Sequence, residues 1–310
     1  MTHKLRFMQP WLDEFLIRSQ AENLSPATIL WYRERLEKIL AFLEEEGARE
    51  IHDITAAQIR AFAVHEQKRG LKPRSINGCL RSLKAMLNYF IGEEVLDASP
   101  MKRVRLVREP KALIAVYSEE QMERLLFPRR SAGFLDLRDL TLLRFLYDTG
   151  VRAAEICSLQ VSHVDLEERT ALVTGKGRKE RRVPLGLSLT KQLFRYLRER
   201  ARELGGDACP YLFFSRFHKK LTPSGIRQIV ERCSRAAGIE GVRTSPHTLR
   251  HSFAKAHVLN GGDAFSLQAM LGHADIASTQ KYVGLNEREV RRQHDAFGPL
   301  DRLRESHSNN

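Results

Sequence analysis

The sequence predicts a mainly α protein of two domains, with one small β-hairpin in the second. Three observations predict it. The 310 residues are enough for two cores. Apolar residues recur at three- and four-residue spacing through most of the chain, most clearly at Ile76, Leu80, Leu83, Leu87 and Phe90. That helical pattern breaks between 98 and 117, where Ala98-Ser99-Pro100 ends it and a basic, aperiodic stretch follows. The domains are therefore drawn as a helical unit over 1–100, a linker over 101–117 and a larger unit over 118–310, with a tail from about 286.

The first hundred residues read as four or five helices. Ser25-Pro26 supplies a cap and a first-turn proline for a helix ending near Gly47. Thr55 caps the next, which stops near Gly70, and Ser75 is placed to cap a long helix to about Ile91. Opposite the apolar stripe of that helix lie Arg74, Asn77, Arg81, Lys84 and Asn88, which either track a phosphate backbone or form an ordinary solvated face. Lys102, Arg103, Arg105, Arg108 and Lys111 then crowd around Pro110, as a strap along a polyanion or as a plain tether.

The second domain opens at Ser118-Glu119-Glu120, a capped acidic helix start. An apolar helix through Leu140, Leu143, Phe145 and Leu146 ends at Gly150, and a short one covers Arg152 to Leu159. Strands at Thr170–Thr174 and Arg181–Leu185 flank a turn that carries Lys176 near its tip. Helices follow near 188–204, 222–237, 247–259, 264–272 and 275–283, and the tail from Asn286 to about Leu303 has the makings of a last amphipathic one.

Composition narrows the function. The formal net charge is +13. Residues 1–110 hold 18 Lys+Arg against 15 Asp+Glu, and residues 111–310 hold 33 against 23, so the excess sits in the second domain. An arginine-rich basic domain suits phosphate recognition. The four cysteines lie far apart without a C-x-x-C pair, which predicts neither a zinc site nor a disulfide framework. No run of eighteen apolar residues and no signal-type apolar stretch occur, so a cytoplasmic protein without membrane contact is expected.

Six residues carry possible chemistry: Arg152, Lys176, His247, Arg250, His273 and Tyr282. Guanidiniums grip phosphate by fork geometry, imidazoles move protons near neutrality, a lysine can protonate a leaving alkoxide, and a tyrosine can attack phosphorus. Each has a plainer reading. Arg152 stands three residues before Glu155 and can simply pair with it, or Glu155 can orient it towards an anion. Lys176 can be a surface lysine. His247 and His251 are four apart, yet lack the glutamate and third ligand of a zinc site. His273 after Gly272 can cap a helix end, and Tyr282 can pack half-buried.

Their order and settings resemble the tyrosine recombinase, or phage integrase, family. The segments that carry the resemblance are TGVRAAEICSL, TGKGRKERRVPL, HTLRHSFA and LGHADIASTQKYV, with 23 residues from Arg250 to His273 and nine from there to Tyr282. The resemblance covers the whole chain and implies a helical core-binding domain followed by an α+β catalytic domain. It implies Arg152 and Arg250 as a phosphate clamp, Lys176 as general acid, His247 in proton transfer, His273 as a phosphate donor and Tyr282 as nucleophile, without metal or other cofactor. The implied partners are duplex DNA with specific sites, further copies of the chain in a tetramer, and an accessory recombinase or directionality factor, at the nucleoid. Ala256-His257-Val258 and Val283-Gly284-Leu285 depart from the Xer pattern and lean towards a mobile-element integrase. Xer-type dimer resolution, relaxation like that of a type IB topoisomerase, and an inactive DNA-binding regulator are the alternatives.

Overall fold

Ser25 and Pro26 start a helix where the sequence places one. The Ser25 hydroxyl accepts the Thr28 N–H at 3.2 Å, and Pro26 occupies the first turn. This helix belongs to the first of two units, Met1–Ala112 and Leu113–Asn310, each with its own buried apolar cluster. The computed structural model describes residues 5–110, 115–128, 133–175, 177, 179–206, 209–272, 285 and 287–291.

The first unit is built from α1 (Gln9–Ala21), α2 (Pro26–Glu45), α3 (Ala56–Lys68) and α4 (Pro73–Gly92). Thr55 and Gln58 cap α3 reciprocally. Helix α4 starts at Pro73 rather than at Ser75, because a proline in the first turn has no N–H to leave unsatisfied and its φ is already helical. Its stripe of Ile76, Leu80, Leu83, Leu87 and Phe90 is wholly buried against α2 and α3 residues such as Leu36, Leu40 and Phe62. Tertiary burial of this face, more than propensity, holds such a helix in water.

Asn77 corrects the sequence reading of α4. It is 1% exposed, not on a solvent face. Its amide donates to the Val107 carbonyl at 2.9 Å and to Glu109 at 2.7 Å, and its carbonyl accepts the Val107 N–H at 2.8 Å. Asn77 thus acts as a one-residue strand partner for the basic segment. The stretch from Pro100 to Glu109 is accordingly no loose tether: Met101 is buried, and Val104 and Val107 pack on the first core. Arg74, Arg81, Lys84, Lys102, Arg103 and Arg105 remain exposed, with Arg81 3.6 Å from Glu109.

In the second unit Ser118 and Gln121 cap α5 (Glu119–Leu126) reciprocally. Then follow α6 (Phe134–Thr149), α7 (Ala153–Ser158), β1 (Val164–Asp165), β2 (Thr170–Thr174), β3 (Glu180–Pro184), α8 (Leu187–Leu204), α9 (Pro223–Ala236), α10 (Pro246–Leu259) and α11 (Ala264–Leu271). The antiparallel sheet runs β1-β2-β3, with Ala171 opposite Val183 and Val173 opposite Arg181. The two-residue β1 is too short to leave a periodic signal. Helix α6 crosses the core, and Arg138 and Asp139 pair within it, Asp139 also meeting Arg232. Burial pushes the Asp139 carboxyl up, against the two guanidiniums.

Cys79 and Cys157 are buried thiols, as their apolar settings suggest, and burial raises Cys157 to about 11. Residues 287–291 are helical, and Glu289 meets Lys255 of α10 at 2.7 Å. The helix expected at 275–283 and most of the tail lie outside the described residues. Among the described residues, no helix is long and apolar enough to cross a membrane.

Candidate active site

Arg152 is the residue before α7, and its extended backbone (φ −79°, ψ 150°) begins that helix. Its N–H donates to Glu155 Oε2 at 2.8 Å, and its Nη1 donates to Glu155 Oε1 at 3.0 Å. Glu155 is only 3% exposed and has a second cation. Arg181 of β3 reaches across with Nη1 2.9 Å from Oε1 and Nη2 2.9 Å from Oε2, a two-pronged pair. Burial pushes the Glu155 carboxyl up, but the bonds from Arg181 and the Arg152 N–H outweigh it, and the net direction is down. Glu155 is therefore a buried carboxylate shared by two guanidiniums.

The C-terminal end of α11 is the second anchor. Arg250, 1% exposed on α10, donates from Nη2 to the Leu271 carbonyl at 2.8 Å and from Nη1 to the Gly150 carbonyl. Arg152 Nη1 reaches the same Leu271 carbonyl at 3.4 Å, and Arg181 Nε donates to the Met270 carbonyl at 2.9 Å. Helix-end carbonyls carry partial negative charge and lack intrahelical donors, so they suit guanidiniums. Three arginines remote in sequence thus meet at one helix end. Glu155 is the carboxylate that Arg152 and Arg181 share there.

Two glycines make that meeting possible. Gly150 closes α6 with φ 61°, and a Cβ there would stand 2.3 Å from Phe253 Cδ1 and 2.9 Å from Leu271 Cδ2. Gly272 ends α11 with φ 63°, and a Cβ there would lie 3.1 Å from the Arg181 guanidinium. His247 is exposed in the first turn of α10, with its ring 5.9 Å from that of the partly buried His251. Although three residues apart, His247 and Arg250 differ sharply in exposure. Among the described residues no three His, Cys, Asp or Glu form a metal-sized group.

Lys176, His273 and Tyr282 lie outside the described residues. The neighbours of two of them are described. Gly175 donates its N–H to the Lys179 carbonyl at 2.8 Å, and a Cβ on it would meet Glu155 Oε1 at 3.3 Å. Gly272, just before His273, abuts Arg181. The chain leading into Lys176 and that leading into His273 therefore both leave from the Arg152–Glu155–Arg181 cluster.

The phage integrase family model matches residues 116–289, and the phage integrase N-terminal SAM-like domain matches residues 12–94. The chain belongs to the phage integrase family. It is 33% identical over 283 residues to tyrosine recombinase XerC of Bacillus licheniformis, across 90% of this chain and 92% of that protein. It is similar to the crystal structure of XerA recombinase, with 28% identity and a TM-score of 0.54 over 94% of this chain and 99% of that one. The Tn1549 transposon integrase, solved in complex with transposon right end DNA, matches with a TM-score of 0.72 at 19% identity, over 93% and 99% of the chains. At that identity the likeness is one of fold. The chain is thus a site-specific tyrosine recombinase of the Xer and integrase type, with the two-domain, mainly helical architecture the sequence predicts.

Within this phage integrase family member, sequence reasoning named Arg152, Glu155 and Arg250, and these do converge. It missed Arg181. The signal was present in the alternation of β3: Arg181 is in phase with Val183, which is buried, so the strand turns a charge inward. A half-buried arginine in phase with the core implies a carboxylate partner, and Glu155 is that partner.

Proposed function

We propose that this tyrosine recombinase cuts DNA by attack of the Tyr282 hydroxyl on a scissile phosphate. The Tyr282 oxygen bonds to phosphorus, and the bond from phosphorus to the 5′ oxygen breaks, leaving a 3′-phosphotyrosine and a free 5′ hydroxyl. Arg152 and Arg250 clamp the nonbridging oxygens, His273 adds a donor, His247 accepts the phenol proton, and Lys176 protonates the departing 5′ oxygen. Glu155 orients Arg152. The new bond retains the phosphodiester's energy, so attack by a partner strand's 5′ hydroxyl rejoins ends without ATP. The observation that carries the reading is the convergence of Arg152 and Arg250 on one acceptor, the Leu271 carbonyl. That convergence supports a two-guanidinium site immediately before the segment bearing His273 and Tyr282.

Duplex DNA with specific sites is the substrate, and each unit offers basic residues to its phosphates. Arg74, Arg81 and Lys84 on α4, with Lys102, Arg103 and Arg105, are exposed in the first unit and favour contact with the DNA backbone. Exchange between two duplexes calls for four copies of the chain. We favour the Xer type over a mobile-element integrase, because XerC relatives align along nearly the full length of both chains while the transposon integrase is similar in fold alone.

The test is covalent trapping on a nicked substrate in EDTA. The wild type is expected to form a denaturation-resistant protein–DNA adduct, and Tyr282→Phe to bind the same DNA with similar affinity but form none. An adduct with Tyr282→Phe removes the nucleophile assignment, and strict dependence on added magnesium removes the metal-free mechanism.

A further inference from the structure

Glu155 has more positive charge around it than a buttress for one arginine needs. A buried carboxylate with a single counter-cation draws that cation fully onto itself, because nothing else offsets the loss of water around the charge. Arg152 would then close on both carboxylate oxygens and lose its reach. Here it does not. Arg181 takes both oxygens at 2.9 Å, whereas Arg152 gives Glu155 only its backbone N–H and Nη1. Among the described residues, Arg152 Nη2 and Nε have no bonding partner, and the side chain is 38% exposed against 16% for Arg181. Arg181 is itself fixed from a third side by the Met270 carbonyl and by the close approach of Gly272.

We propose that Arg181 is a positioning residue that supplies the main counter-charge to Glu155, so that Arg152 keeps a guanidinium edge for the scissile phosphate. The inference rests on the reading of Arg152 as half of the phosphate clamp. Arg181 touches neither substrate nor reacting atoms in this account. It acts through Glu155 on Arg152, and its bond to Met270 ties that balance to the helix end that also holds Arg250. Lysine at 181 is a poor substitute, since a point charge on a flexible stem cannot hold two carboxylate oxygens and a carbonyl in one plane.

The experiment compares single-turnover cleavage of two nicked substrates by the full chain. One has an ordinary scissile phosphate. The other carries a methyl group in place of one nonbridging oxygen there, so the phosphorus centre needs less positive charge. Wild type, Arg181→Met, Arg181→Lys and Arg152→Ala are compared, with DNA affinity and thermal unfolding measured on each. Arg181→Met is expected to lose about 100-fold on the ordinary phosphate, the order of one misplaced oxyanion donor, but under tenfold on the methylated one, with DNA affinity within about twofold. Arg181→Lys is expected to shift the same way by less, and it carries the test if Arg181→Met does not fold. Equal losses on both substrates for the Arg181 variants, alongside a selective loss for Arg152→Ala, overturn the positioning role alone. Equal losses for Arg152→Ala as well overturn the clamp reading and this inference with it.

Discussion

Gly150→Ala tests whether the arginine site depends on the close packing of α6 against α10 and α11. Two costs add. Gly150 has φ 61°, and an alanine in that left-handed conformation costs about 1–2 kcal/mol. The new Cβ would also stand 2.3 Å from Phe253 Cδ1, 2.7 Å from its Cε1 and 2.9 Å from Leu271 Cδ2. Carbon atoms rest at about 3.5–4.0 Å, so a ring must move. Phe253 sits in a buried cluster with Ala254, Leu267 and Leu271, and overpacking such a site costs about 1–3 kcal/mol. The sum is roughly 2–5 kcal/mol, all in the second unit. Gly177→Ala is the control, since φ is 74° there but nothing lies within 4 Å, and only the backbone cost of about 1–2 kcal/mol applies. Urea unfolding separates the units, because both tryptophans, Trp11 and Trp31, belong to the first. Tryptophan fluorescence should keep its midpoint while the far-UV transition of the second unit falls. Displacing Leu271 also moves the carbonyl shared by Arg152 and Arg250, so cleavage at a permissive temperature should fall with DNA affinity little changed. A loss no larger than that of Gly177→Ala would refute the packing argument.

Two further outcomes follow from the described geometry. Asn77→Ala removes three hydrogen bonds, one of them to a carboxylate, and should destabilise the first unit by about 2–4 kcal/mol while trypsin cuts faster at Arg105 and Arg108; unchanged proteolysis would mean that Asn77 does not hold the basic segment. Glu155 has a folded-state pKa below its ordinary value, so the stability it adds is complete above about pH 4.5 and is lost as pH falls through the depressed pKa. The stability gap between wild type and Glu155→Gln should therefore stay constant from pH 7 to about pH 5 and close only in more acid solution; a gap that closes near neutrality would contradict the assignment.

The parts of the fold legible in the sequence were those written in local chemistry. Ser25-Pro26, Thr55 with Gln58, Ser118 with Gln121 and Gly150 each mark a helix boundary through a bond or a φ value set within a few residues. The stripe on α4 was legible because its partner is simply the core. Asn77 was misread because the residues a helical turn away, Arg74 and Arg81, are exposed, while its partners Val107 and Glu109 stand thirty and thirty-two residues away. Helical spacing assigns a face but not what lies on it.

The site divides along the same line. Arg152 and Glu155 could be paired from a three-residue spacing, yet the sequence left open whether that pair was a plain salt bridge or a device for holding an anion. The structure adds a residue from another element. A plain pair would be saturated by its two members, whereas this carboxylate takes its stronger grip from Arg181, and Arg152 shares a carbonyl with Arg250. Among the described residues, Glu155, the end of α11 and the Gly150 carbonyl face these three like charges. Positive charge held in place in this way is the arrangement under which charge stabilisation requires no rearrangement during a reaction.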